Sequence, residues 1–357
     1  MKTPDLQISL PKLTENIVTL KTLCKHASLQ VTPVTKVVMG HPTIAALYAN
    51  YFDSIGDSRI CDIQRMTDSG IHTQYMLIRS PALSESLQTV ELCHTSLNSE
   101  LSVCHALNLA GEKLHQKHHI LIMIEMGDLR EGILLEETES FFREVSSLNW
   151  LEVVGIGTNA TCFAGIIPTE ENLSFLAQVK KTFRKVFHKN PLISGGGTNL
   201  FHLILANTLP AYINHIRIGE GLLMGVDAVY KQPLPGCHTD ICTLTGEVIE
   251  LRTKPSFPIG ETAHNAFGEH IPFRDRGLRK KAIINIGRLD TDIAGLTPLD
   301  KGIEILGASS DHLMLDVEAK PNLQVGDLVS FGMNYSALLF SMSSIYVEKR
   351  FIEPLQT

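Results

Sequence analysis

Residues 119–127 read HILIMIEMG. Its unbroken apolar run, Ile120 to Ile124, is short for a helix and has no polar alternation to mark a wet face. Such a run fits a strand covered on both sides, as in a parallel sheet flanked by helices. The same signature recurs outward along the chain. Upstream stand VTPVTKVVMG (31–40), IGDSR (55–59), YMLIRS (75–80) and SLNSE (96–100); downstream stand VVGIGTN (153–159), LISGGG (192–197) and NHIRIGEG (214–221). Helical stretches lie between them. PKLTENIVTLKTLCKHASL (11–29) puts Leu13, Ile17, Leu20 and Leu23 on one face, and ENLSFLAQVKKTFRKVF (171–187) is similar. About eight strand–helix units before residue 228 predict a (β/α)8 barrel, whose chemistry sits where strands end at their C-terminal side.

From residue 229 the pattern changes. DICTLTGEVIELRTKPSFPIG (240–260), KAIINIG (281–287), IEILGASSDHLMLDV (303–317) and VGDLVSFG (325–332) carry period-2 stretches and Gly/Pro turns. The expected organisation is a barrel over 1–228 and a mostly antiparallel β domain over 229–357.

Composition narrows the class. With 357 residues, 44% apolar and 19% charged, the chain reads as an ordinary globular protein of two domains. A net charge of −7, with Arg276, Arg279, Lys280 and Lys281 as the longest basic cluster, argues against a nucleic-acid partner. The N-terminal MKTPDLQISLPKL has no apolar run of signal length, and no segment has the ~18 apolar residues of a membrane span. A cytoplasmic protein is expected. Seven cysteines, an odd number, suggest reduced thiols. Cys237, His238 and Cys242 lack the further ligand pair of a zinc site, so no metal is expected.

Lys36 falls inside the run VTPVTKVVMGHP, which reads as a buried strand. An ammonium there is costly unless it has a task, such as forming a Schiff base, or unless it reaches solvent at the rim. Ser194-Gly195-Gly196-Gly197-Thr198 reads as a strand–helix turn; consecutive glycines and a following helix start suit a phosphate, and a flexible turn is the plainer alternative. Arg217 ends the last barrel run and Arg130 follows HILIMI, so both sit at strand ends. Together with Lys36 they suggest an anionic, phosphorylated, planar ligand.

These residues and their contexts resemble the pyridoxal-phosphate enzymes of the alanine racemase fold, closest to the branch of alanine and ornithine racemases. TKVVMGHP, IGDSR, SLNSE, MGDLREG, GIGTN, IPTEEN, RIGEG, AFG, DRG, LTPLDKGIEILGASSDHLMLDV and NYSALL carry the resemblance over most of the chain. It implies the barrel and β domain already read from the pattern. It further implies pyridoxal 5'-phosphate held as a Schiff base by Lys36. Arg130 would stand near the cofactor's phenolic oxygen, and Asn159 where the family often has a histidine facing the ring. Thr198, with Gly196 and Gly197, would hold the phosphate; Gly219 and Glu220 would follow around it, and Tyr335 would reach it. Arg217 would face the pyridine nitrogen. Ser310 and Asp311 stand where alanine racemase has a Met-Asp pair that enters the partner subunit's site, which implies a homodimer with shared active sites.

The resemblance implies an amino-acid racemase exchanging the α-proton between two bases. Lys36 would serve one face. For the other, Phe267 in Ala266-Phe267-Gly268 stands where the family has a proton-transferring tyrosine, and phenylalanine has no proton to give. The tyrosine near the cofactor lysine is also absent, and His41 takes its neighbourhood. His264 ranks first as second base, since imidazole needs no tuning at neutral pH; Asp311, Asp290 and Asp292 are the carboxylate candidates, and Asp275 is a weaker one. The same aspartates suit a distal ammonium, favouring ornithine or lysine over alanine. A decarboxylase or aldolase of this fold, or a non-catalytic cofactor-binding protein, are the alternatives.

Overall fold

The computed structural model describes residues Lys2 to Glu353. By contact these fall into two compact units: Lys12–Thr239, and the residues up to Pro11 together with those from Asp240 onward.

The first unit is the barrel. Its strands are β2 (Gln30–Pro33), β3 (Ser54–Asp57), β4 (Gln74–Leu77), β5 (Thr95–Asn98), β6 (His118–Met123), β7 (Leu151–Gly157), β8 (Leu192–Ser194) and β9 (His215–Ile218). They pair in parallel in the order β2-β9-β8-β7-β6-β5-β4-β3, and a bridge between Val34 and Gly56 joins the two ends into a ring. Met76, Leu97, Leu121 and Met123 come from three neighbouring strands and pack together with Ile78, Val154 and Leu192 as the filled core.

Helices alternate with the strands: α1 (Leu10–His26), α2 (Pro42–Ala49), α3 (Ile60–Asp68), α4 (Ser86–Leu92), α5 (Leu101–Leu114), α6 (Thr138–Val145), α7 (Glu170–Leu173), α8 (Phe175–Phe187), α9 (Phe201–Leu205) and α10 (Glu220–Met224). In α1 the fully buried apolar positions are Leu13, Ile17, Leu20 and Cys24. The fourth is Cys24 rather than Leu23, the position that continues the 3.6-residue stripe. The single helix expected over 171–187 is divided at Ser174; Thr169 caps the short α7 by accepting the Asn172 N–H at 3.0 Å, and Leu176, Val179 and Phe183 bury one face of α8. Phe183 meets Phe142 of α6 edge-on at 5.8 Å.

The unit boundary lies past the division read at 228/229, for two reasons. Asn16 of α1 donates to the carbonyls of Leu222 (3.1 Å) and His238 (3.0 Å) and accepts the His238 N–H at 2.7 Å, which ties residues up to 238 to the barrel. At the other end β1 (Asp5–Ser9) pairs antiparallel with β10 (Cys242–Pro255) and parallel with β16 (Glu348–Ile352), so the chain begins in the β unit.

That unit also contains β11 (Leu278–Ile284), β12 (Leu296–Pro298), β13 (Glu304–Ala308), β14 (Leu313–Asp316) and β15 (Leu328–Met333), in the order β12-β15-β10-β11-β14-β13 with antiparallel neighbours. One helix, α11 (Tyr335–Ser343), was not legible as a periodic pattern; Asn334 starts it by accepting the Ala337 N–H at 2.9 Å. No helix among the described residues is long and apolar enough to cross a membrane.

Candidate active site

Lys36 is not inside a strand. β2 ends at Pro33, Val34 makes the ring-closing bridge, and Lys36 opens a single 3-10 turn, Lys36–Val38, at the C-terminal mouth. Its side chain is exposed, so no burial cost arises, and the placement inside a strand read from the sequence is corrected. The turn is anchored from behind. The Thr35 hydroxyl donates to Asp57 Oδ2 at 2.7 Å and the Thr35 N–H to the Gly56 carbonyl at 2.9 Å. Asp57 also accepts the Arg59 N–H at 3.0 Å; burial pushes its carboxyl up to about 6.

On β9, Arg217 is 6% exposed. Its guanidinium donates to the Ser194 hydroxyl, to the Thr158 carbonyl at 2.9 Å and to Asn159 Oδ1 at 2.5 Å. Burial lowers it to about 10, which still leaves it a cation at neutral pH. Asn159 in turn donates to Glu131, whose carboxylate also binds the Arg130 guanidinium. Burial pushes Glu131 up, but the bonds from Arg130 and Asn159 outweigh it and hold the carboxyl below its ordinary value. Two cations and one carboxylate thus form one chain, Arg130–Glu131–Asn159–Arg217.

The glycine turn packs directly on this chain. The Arg217 N–H donates to the Gly196 carbonyl at 2.9 Å, and a Cβ on Gly197 would lie 2.7 Å from the Arg217 carbonyl oxygen. Only glycine lets the two backbones approach so closely; Gly196 also takes φ +144°. Thr198 begins one short turn and Glu220 begins α10, and the Gly221 N–H donates to the Thr198 hydroxyl at 3.0 Å. First-turn N–H groups have no partner within their own helix, so the two starts together suit an anion. Lys36 belongs to the same mouth: Val34 donates its N–H to Ile218 at 2.8 Å, and a Cβ on Gly219 would lie 3.3 Å from Val34 Cβ. The Glu220 carboxylate pairs with Lys231 at 2.8 Å.

The barrel therefore brings together Arg130, Asn159, Gly196, Gly197, Thr198, Arg217 and Gly219, with Lys36 beside them. His264, Asp311 and Tyr335 belong to the β unit. His264 lies in the loop between β10 and β11, its ring 6.4 Å from that of His270. Phe267, in the same loop, is covered by the Arg288 guanidinium at 4.1 Å. Asp311 is exposed in the turn between β13 and β14, and Tyr335 is the first residue of α11. The other aspartates have local tasks: Asp290 accepts the Gly287 N–H (2.8 Å), Asp292 the Ser336 hydroxyl (2.6 Å) and Asp275 the Gly277 N–H (2.9 Å).

Sequence reading gave no role to Glu131, Thr158 and His215, and named Ser194 only as the start of the glycine turn. Glu131 adjoins Arg130, and His215 precedes Arg217 by two residues on the same face of a strand. Period-2 spacing was the available signal.

The C-terminal mouth of a parallel barrel thus holds an amine, a glycine-rich turn and a caged arginine, in a chain that also carries an antiparallel β unit. The profile described as alanine racemase, N-terminal domain, matches residues 8–227. Among curated proteins the chain is 38% identical to an ornithine racemase of Acetoanaerobium sticklandii over 353 residues, 98% of this chain and 99% of the relative. It is 36% identical to a lysine racemase of Thermotoga maritima over 348 residues, 97% and 98% of the two chains. The alanine racemase of Bartonella henselae, solved with covalently bound pyridoxal phosphate, shares the fold with a TM-score of 0.74 at 16% identity, over 98% of this chain and 99% of that one. The chain belongs to the alanine racemase family. It is an amino-acid racemase, an isomerase.

Proposed function

We propose that the protein interconverts the L- and D-forms of a basic amino acid, ornithine or lysine, with pyridoxal 5'-phosphate carried on Lys36. The observation that carries this reading is the single constellation at the barrel mouth: an exposed amine beside Gly196, Gly197, Thr198 and Gly219, with Arg217 caged behind them. A carbonyl takes the amine, and a phosphate takes the hydroxyl and backbone N–H groups, so the residues present fit the cofactor. The substrate class is supported by the names of the two curated relatives.

When bound, pyridoxal phosphate withdraws electrons from the substrate's α-carbon and acidifies its proton. Lys36 takes or returns that proton on one face. Thr198 and the N–H groups around Gly196, Gly197, Gly219 and Glu220 would hold the phosphate. Arg217 keeps its own proton, because even after burial its value of about 10 lies well above neutrality. It would donate a hydrogen bond to the cofactor's ring nitrogen without protonating it. Arg130, oriented by Glu131, would stand near the cofactor's phenolic oxygen, and Asn159 spaces the two arginines. The second base comes from the β unit of a partner copy, His264 first and Asp311 next, in a cytoplasmic homodimer with shared sites.

The test is direct. Purified protein is incubated with single L-amino acids in deuterated water, and the α-proton and the D-isomer are followed by NMR and chiral chromatography. Exchange with D-isomer formation, faster for ornithine or lysine than for alanine, is expected. Release of carbon dioxide or an aldehyde, without D-isomer, would refute the proposal in favour of a decarboxylase or aldolase.

A further inference from the structure

Behind Arg217 a second hydrogen-bonded chain runs down the barrel axis, away from the mouth. Ser194 Oγ is 2.7 Å from His215 Nδ1, His215 Nε2 is 2.9 Å from Thr32 Oγ1, and Thr32 Oγ1 is 2.7 Å from Ser54 Oγ. His215 is 3% exposed. The lower end opens on a cavity of about 830 Å3 at the N-terminal ends of the strands, lined among others by Thr32, Ser54 and His215. Four strands, β2, β3, β8 and β9, each contribute one or two members.

The donors and acceptors fix the direction of this chain. A guanidinium can only donate, so Ser194 Oγ accepts from Arg217. The single Ser194 proton must then point to another acceptor, and His215 Nδ1 is the one within reach. An Nδ1–H would face that proton donor to donor, or force it back toward the guanidinium. His215 is therefore unprotonated at Nδ1 and carries its hydrogen on Nε2, donating to Thr32, which passes its own proton to Ser54. An imidazolium would break the first link and set a second cation beside Arg217. Burial first, and the Arg217 charge second, press His215 down to about 3, in agreement with the geometry.

We propose that His215, locked as the neutral Nε2–H imidazole, is a positioning residue that fixes the Arg217 guanidinium through Ser194. The column orients the cation while adding no charge, so the charge reaching Arg217 through hydrogen bonds comes from Glu131 by way of Asn159. A carboxylate in the column would neutralise Arg217, and a lysine would repel it. The inference deepens the reading of Arg217 above and rests on it for its functional consequence.

Two measurements test it. The first uses wild-type apoprotein labelled with 15N-histidine, and it needs neither cofactor nor turnover. Long-range proton–nitrogen spectra should show His215 as the Nε2–H tautomer, unchanged over the pH range in which the protein stays folded. An Nδ1–H tautomer or an imidazolium overturns the proposal while leaving the Lys36 reading intact. The second compares Ser194→Ala, His215→Phe and the double variant, with folding checked by circular dichroism. Each single variant should lower kcat by roughly ten- to a hundredfold, the scale of a lost hydrogen bond to a charged group, with KM changed much less. Affinity of the apoprotein for added pyridoxal phosphate should weaken alongside. The double variant should be no worse than Ser194→Ala, because both remove one support. His215→Asn, whose Oδ1 can replace Nδ1 as acceptor, should recover most of the loss. Fully additive effects, or no recovery with asparagine, overturn the proposal.

Discussion

Replacing Asp57 with asparagine should remove a pH-dependent cost that the barrel carries at neutrality. Asp57 has no exposed surface, and it holds the turn that presents Lys36 by accepting the Thr35 hydroxyl. Burial, reinforced by the nearby Asp62 charge, keeps its carboxyl at about 6 despite the hydrogen bonds it receives. An unfolded aspartate titrates near ~3.9. Between those values the unfolded chain has lost the proton and the folded chain still holds it. Stability therefore falls as pH rises through this window, by up to about 1.4 kcal/mol per pH unit. Two units amount to about 3 kcal/mol, absent below pH ~4 and fully present above pH ~6. Asparagine cannot ionise. Its altered hydrogen bonding to Thr35 and Arg59 adds an offset that does not vary with pH. In urea unfolding of apoprotein at stepped pH, the stability of Asp57→Asn relative to wild type should rise by about 3 kcal/mol between pH ~4 and pH ~7. A flat difference, or one that turns against the variant as pH rises, would show that Asp57 ionises freely and that burial does not govern it.

Four further outcomes are expected. Gly155→Ala places a Cβ 2.0 Å from the Leu192 carbonyl oxygen on the neighbouring strand, so the variant should lose roughly 3 kcal/mol relative to wild type in denaturant unfolding, and an unchanged midpoint would show that the strands separate without cost. Thr198→Val removes a hydroxyl that receives the Gly221 N–H, and titration of the apoprotein should show about tenfold weaker binding of pyridoxal phosphate; unchanged affinity would remove Thr198 from the cradle. Glu131→Gln keeps an acceptor for Asn159 but discharges the link between Arg130 and Arg217. It should cost about tenfold in kcat/KM, and a larger loss at unchanged KM would identify positioning of Arg130 as the dominant effect. His264→Ala should slow interconversion equally in both directions, since the equilibrium constant between enantiomers is one, while α-proton exchange with deuterated water survives for the one enantiomer that Lys36 serves; exchange lost or kept for both enantiomers alike would exclude His264 as a one-sided base.

Much of the fold was legible because it follows from local periodicity. HILIMIEMG and its counterparts read as doubly covered strands, and the structure closes them into the eight-stranded ring. Where the reading slipped, the cause was equally local. VTPVTKVV reads as one apolar run, yet its strand is Gln30–Pro33 and Lys36 sits in the turn beyond. The helix α11 was missed because its sequence has no polar stripe, and the share of β1 in the β unit because pairing partners at the far end of the chain leave no trace in a short window.

The site divides the same way. Lys36, the SGGGT turn, Arg130 and Arg217 were visible because unusual residue types stand at predictable strand ends. Nothing in sequence spacing says that Arg217 is held by Ser194, Thr158 and Asn159, or that Glu131 joins it to Arg130. Sequence by itself determined the barrel, its mouth and the kinds of chemistry available there, because hydrophobic burial and backbone turns are written in neighbouring residues. Only tertiary structure decided which groups share protons and charge, because a hydrogen bond needs donor and acceptor within about 3 Å, and here they come from strands far apart in the chain.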